Sequence, residues 1–287
     1  MRYSNVMNLK EANIVLLGVP DESKSKAPRK GTKNGPNQFR KALFLSENFK
    51  RSGQLIPICP MKGDLFTKKV FDLGNIRRDK LYFEISNIIS QKKIPIIIGG
   101  DHSITNTALK AIKTATKAKI NLIYFDAHPD FVTTTRDYYG SVVSDSLEYI
   151  NIKKSIFVGI RACEQEELSN ITKYGTKIID PIDVQEYGVQ KTLKKIIKTC
   201  MNESHNNIYI SIDLDCLDPA FAPGVSVPTP CGLTPSELIF FLKKIVGKTK
   251  VIGCDIVELS PSYDINNITA NLAARLFKEI LGSILVI

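Results

Sequence analysis

Two histidines and four aspartates stand where they could hold metal ions. They are His102 in Gly99-Gly100-Asp101-His102-Ser103, then Asp126, His128 and Asp130 in Asp126-Ala127-His128-Pro129-Asp130, then Asp213 and Asp215 in Ser211-Ile212-Asp213-Leu214-Asp215. The chain has only three histidines in 287 residues, so two of them at such points is a concentrated signal. Side chains alternate along an extended chain, so residues at i, i+2 and i+4 project to one side. Asp126, His128 and Asp130 have that spacing, and so do Asp213 and Asp215. One Asp-x-Asp alone is an ordinary turn or cap. Three such motifs, each after an Ile-rich apolar run, point to a metal site beyond the carboxyl ends of buried strands.

Four carboxylates and two imidazoles make a mainly hard, oxygen-rich ligand shell. That shell favours Mn²⁺-like ions over the tetrahedral nitrogen and sulfur preference of structural zinc. Two divalent ions roughly 3.5–4 Å apart would share carboxylates and a water, whose pKa falls to about 7. The result is a hydroxide nucleophile at neutral pH.

The elements that must position these residues are legible as short β-branched runs alternating with amphipathic stretches. That is the pattern of an α/β fold with a mostly parallel central sheet. Strands are expected over Ile14–Val19, Ile94–Ile98, Ile120–Phe125, Ser155–Gly159, Thr176–Ile179, Ile208–Ile212 and Val251–Ile256. Apolar on nearly every residue, they suit burial on both faces. Helical periodicity marks Lys80–Ser90, Ile104–Thr114, Gln190–Cys200, Pro235–Ile245 and Ile268–Leu281, and Thr234-Pro235-Ser236-Glu237 is a capping-box start. Pro20–Pro36, rich in Lys, Pro and Gly, reads as a loop. No repeat or linker divides the chain, so one domain over residues 1–287 is expected.

Composition narrows the class. No apolar run approaches the ~18–20 residues that span a bilayer, and no secretory signal opens the chain, so a cytoplasmic enzyme is expected. Six cysteines lie without a Cys-x-x-Cys pair, which argues for reduced, mostly buried thiols rather than disulfides or a zinc ribbon. The net charge of +10 comes from dispersed lysines with no interleaved aromatics, which argues against nucleic acid as the partner. His205, in a polar Glu203-Ser204-His205 stretch, is assigned no role.

The three motifs, in this order, resemble the ureohydrolases, the arginase and agmatinase family. The likeness runs from Gly18-Val19-Pro20 through Gly35-Pro36 and Arg40 to the last helix. Its most specific part is Ser211-Ile-Asp-Leu-Asp-Cys-Leu-Asp-Pro-Ala-Phe-Ala-Pro-Gly224, and Asp255-Ile-Val-Glu258 through Asp264 is similar to the agmatinase branch. The resemblance implies a three-layer α/β/α sandwich and a homo-oligomer, trimer or hexamer. It implies that His102 and Asp130 end-ligate one ion, that His128 and Asp215 end-ligate the other, and that Asp126 and Asp213 bridge. It further implies hydrolysis of a guanidino group to urea and an amine, agmatine giving putrescine. On this reading Glu258 binds the guanidinium, against a plain reading as an exposed strand-end acid. Asp130 would carry a proton to the departing amine.

The pattern also departs from the family. A histidine usual on the loop after Asp130 is absent, and Tyr139 stands about where it would fall. A phenol near pKa 10 is a poorer proton shuttle at neutral pH. Gly224-Val225-Ser226-Val227-Pro228 replaces the commoner Gly-Thr-Gly-Thr-Pro. Val132 replaces an asparagine that in arginases helps hold the amino-acid head group. An apolar side chain cannot satisfy a buried carboxylate, which costs about 1–3 kcal/mol, so agmatine fits better than arginine. The alternatives are another guanidino or formimino substrate (arginine, guanidinobutyrate, formiminoglutamate), or a metal-binding homologue with little activity. A two-metal phosphoesterase would need more histidines.

Overall fold

A computed structural model of the chain describes residues 3–47, 49–52, 54–56, 67–201 and 207–285. The elements run β1 (Ile14–Gly18), α1 (Gly35–Glu47), β2 (Phe49–Arg51), β3 (Gln54–Ile56), β4 (Val70–Asn75), α2 (Leu81–Ser90), β5 (Ile94–Ile98), α3 (Ile104–Thr116), β6 (Asn121–Phe125), α4 (Val142–Ser146), β7 (Ile156–Val158), α5 (Gln165–Tyr174), β8 (Lys177–Ile179), α6 (Pro181–Cys200), β9 (Ile208–Asp213), α7 (Pro235–Val246), β10 (Val251–Val257) and α8 (Ile268–Ser283). Eight strands form one sheet in the order β4-β1-β5-β10-β9-β6-β7-β8, every pairing parallel, and β2 pairs with β3 in a separate hairpin.

Alternation along the strands splits the core into two layers, as the period of two requires. Ile96, Ile98, Ile123, Phe125, Ile210, Ile212 and Ile256 pack with α1, α6, α7 and α8. Ile97, Leu122, Tyr124, Tyr209 and Val257 pack on the opposite face with α2, α3 and α4. The result is the expected α/β/α sandwich. Each fully buried Ile or Phe contributes about 1.5–3 kcal/mol relative to exposure.

All seven expected strands are present. The eighth, β4, has an edge position and a mixed pattern, Val-Phe-Asp-Leu-Gly-Asn, that carries little apolar signal. Its Asp72 is fully buried against Arg40 of α1, which donates from Nε and Nη2 at 2.8 Å each. Helices α1 and α5 also went unread; α5 buries only Glu167 and Asn170. The helix expected from Gln190 begins at Pro181, with Gly188 at φ 75° kinking it before the periodic part. The Thr234–Glu237 capping box is formed as expected. The described cysteines are free: Cys200, Cys216 and Cys254 are buried, Cys163 is intermediate and Cys231 exposed. Cys59 and His205 lie outside the described residues. No helix among the described residues is long and apolar enough to cross a membrane.

For the site, register matters most. Ile98, Ile256, Ile212 and Phe125 stand abreast on four adjacent central strands. The chain therefore leaves β5, β10, β9 and β6 along one line. The connection from β5 to β6 passes over the two strands between them, which is the kind of switch point where open α/β sheets bind ligands.

Candidate metal centre

Gly99 and Gly100 let the chain turn sharply out of β5. A Cβ on Gly100 would lie 1.9 Å from the Asp21 carbonyl oxygen, so only glycine fits. Asp101 turns away from the centre, accepting from Ser103 N and Lys24 N with Arg78 nearby at 3.7 Å. His102 turns in. Its ring stacks on Tyr124 with centroids 4.8 Å apart. Its Nδ1 faces Asp126 Oδ2 at 3.0 Å, Asp213 Oδ2 at 3.2 Å and Asp130 Oδ2 at 3.4 Å.

The second half forms around His128, whose Nδ1 lies 3.2 Å from Asp215 Oδ2 and 3.4 Å from Asp126 Oδ1. Two groups of ligand atoms result, His102–Asp126–Asp213 and Asp126–His128–Asp215, and Asp126 belongs to both. Asp130 stands beside the first, its carboxylate accepting from the Tyr124 hydroxyl. All six expected residues are thus brought together.

The reason differs from strand alternation. β6 stops at Phe125 and Asp130 has φ 46°, so the i, i+2, i+4 stagger of an extended chain does not persist. Beyond Asp213 the chain enters a 3₁₀ turn, Leu214–Cys216. Turn hydrogen bonds aim the carboxylates instead. Asp126 Oδ1 accepts from His128 N at 2.6 Å, Asp213 Oδ1 from Asp215 N at 2.8 Å, and Asp215 Oδ1 from Ala127 N at 3.0 Å. Arg161 donates to the carbonyls of Asp215 (2.8 Å) and Gly159 (2.9 Å), tying the Asp215 turn to the end of β7.

The donor set fits cations. Carboxylate oxygens and imidazole nitrogens converge, and Asp126 Oδ2 is buried with no hydrogen-bond partner. A buried, unpartnered charged oxygen is costly unless a cation meets it. Proton affinities carry the same message. Burial disfavours charge on His102, but Asp126 and Asp213 outweigh it and push its pKa well up; Asp215 and Asp126 do the same to His128. Burial and neighbouring carboxylates push Asp130 and Asp213 well up too. The cluster gathers positive charge, as protons or as metal.

Glu258 is buried, 1% exposed, and not the exposed strand-end acid of the plain reading. Its Oε1 accepts from His102 N at 2.8 Å and its Oε2 from the Ser226 hydroxyl. Burial pushes its pKa up to about 8. Tyr139 lines a cleft of about 420 Å³ with His128, Asp130, Val132, Tyr138 and Val227. Burial, then Asp130 and Glu258, push its phenol up to about 12, so it stays protonated near neutrality. The motif reading missed Tyr124 and Ser211, although each sits two residues before an aspartate on a strand, where alternation puts it on the same side.

The model of the arginase family matches residues 12–282. The chain belongs to that family. An agmatinase of Blochmanniella floridana is 33% identical over 281 residues, covering 93% of this chain and 86% of that protein. The crystal structure of an agmatine ureohydrolase of Thermoplasma volcanium, 30% identical, has a TM-score of 0.81 and covers 97% of this chain and 92% of that one. A formimidoylglutamase from Bacillus subtilis, 27% identical, has a TM-score of 0.82 over 94% and 86% of the two chains. This arginase-family member is accordingly a hydrolase of the ureohydrolase type.

Proposed function

We propose that this protein hydrolyses agmatine to putrescine and urea with two divalent cations, Mn²⁺ by ligand chemistry, held by His102, Asp126, His128, Asp130, Asp213 and Asp215. Asp126, with one oxygen toward each histidine, is the clearest bridging candidate. Asp213, the other residue proposed to serve both cations, turns Oδ2 toward His102 Nδ1 while its Oδ1 accepts from Asp215 N. When bound, the cations supply a water activated at neutral pH.

The chain's own groups do the rest. Asp130 lines the cleft and is held by the Tyr124 hydroxyl, placing a carboxylate where it can take a proton and return it to the leaving amine. Glu258 is fixed by His102 N and Ser226, and each of its oxygens retains a lone pair for a guanidinium N–H. Tyr139 keeps its proton at neutral pH, so it can donate a hydrogen bond that orients a bound group but is a poor proton relay.

The observation that carries agmatine over arginine is the cleft lining. Among its lining residues are Glu164 and Glu167 but no lysine or arginine, and Val132 and Val227 add apolar wall. A cationic, carboxylate-free tail suits that surface. Urea release from agmatine and arginine, compared with Mn²⁺ present, tests this. Preference for arginine, or formamide release from formiminoglutamate without urea release from agmatine, would overturn it.

A further inference from the structure

Beneath the centre lies a buried carboxylate that the chemistry above does not use. Asp255 of β10 is fully buried and accepts three hydroxyl groups at 2.7 Å: Thr105 and Tyr209 on Oδ2, and Ser211 on Oδ1. Parallel pairing of β10 with β9 sets Asp255 directly beside Ser211. A serine hydroxyl has one hydrogen. Given to Asp255, it leaves Ser211 Oγ as an acceptor, and the ring nitrogen 2.8 Å away is His102 Nε2. Nε2 therefore carries the hydrogen of that bond. The other nitrogen, Nδ1, is the one that faces Asp126, Asp130 and Asp213.

We propose that Asp255 is a positioning residue acting through Ser211: it fixes the tautomer and ring orientation of His102, so that Nδ1 is presented to a cation. The inference rests on the metal-binding reading of the site. It separates Ser211 from Thr105 and Tyr209, whose hydroxyls satisfy the same carboxylate without bonding a histidine ring; Thr105 meets His102 through its backbone N–H. Partners of this outer kind change metal affinity by about 10–100-fold when removed.

Mn²⁺ titration of the parent, Ser211→Ala and Thr105→Val, each also followed by thermal unfolding, separates positioning from a structural role. Ser211→Ala is expected to weaken one of two binding steps by about 10–100-fold and leave the other within about threefold. Thr105→Val removes one hydrogen bond from the same carboxylate, lowers the melting temperature comparably, and keeps both steps within about threefold. Parental Mn²⁺ affinity in Ser211→Ala, or equal weakening in Thr105→Val, overturns the proposal.

Long-range ¹H–¹⁵N spectra of the Zn²⁺-loaded parent give a readout that needs no variant to fold. Three histidines make the spectrum simple. His102 is expected to carry hydrogen on Nε2 and metal on Nδ1, and the reverse assignment overturns the proposal. A parent that bound no Mn²⁺ would instead strike the functional reading itself, and this inference with it.

Discussion

Asp126 Oδ2 lies 3.0 Å from His102 Nδ1, yet the buried oxygen has no hydrogen bond from that nitrogen or any other group. The two atoms face each other as two ligands of one ion do. Asp126 then turns its other oxygen toward His128. Asp126 is thus the residue on which both ligand groups depend.

Asp126→Ala is expected to lose both cations, since one side chain serves two ligand groups. Metal analysis after dialysis measures this directly, and retention of two equivalents would contradict it. Mn²⁺ should stabilise the parent by about 2.7 kcal/mol for each cation bound at one hundred times its dissociation constant, and Asp126→Ala should show no such shift.

Glu258→Gln keeps shape but removes the carboxylate that a guanidinium beside it would hold ionised despite its raised pKa of about 8. A hydrogen bond to a charged group contributes about 1.5–3 kcal/mol, so kcat/KM should fall roughly 10- to 150-fold, mainly through KM. Steady-state kinetics with agmatine decide the matter. Unchanged KM and kcat would remove Glu258 from the site.

Tyr139→Phe removes a donor from the cleft and leaves the metal ligands intact. Turnover should slow by several-fold with metal content unchanged. A parental rate would mean that Tyr139 only packs.

Arg40 and Asp72 form a buried pair, 6% and 0% exposed, that joins α1 to the sheet edge. Arg40→Met would strand the Asp72 carboxylate and is expected to cost about 3–5 kcal/mol in chemical denaturation. A cost below about 1 kcal/mol would show the pair contributes little, as exposed pairs do.

The sequence displayed the fold wherever burial was two-sided. Ile94–Ile98 and Ile208–Ile212 are apolar enough to stand out, whereas β4 interleaves Asp72 and Asn75 at an edge, and α5 buries polar Glu167 and Asn170. Those polar contacts are tertiary: Glu167 accepts from Phe131 N, far away in sequence. The six centre residues were legible by type and position, but the turns that aim Asp130 and Asp215 were not, because left-handed and 3₁₀ conformations leave no periodic trace. Asp255 stands in the Asp255-Ile-Val-Glu258 motif but has no role legible from the motif alone. Only register, which places it against Ser211, gives it meaning.

If these six side chains hold two divalent cations, anomalous diffraction from crystals grown with Mn²⁺ will show two peaks, one against His102 Nδ1 and one against His128 Nδ1, with Asp126 touching both. A single peak, or none among these residues, would contradict that arrangement.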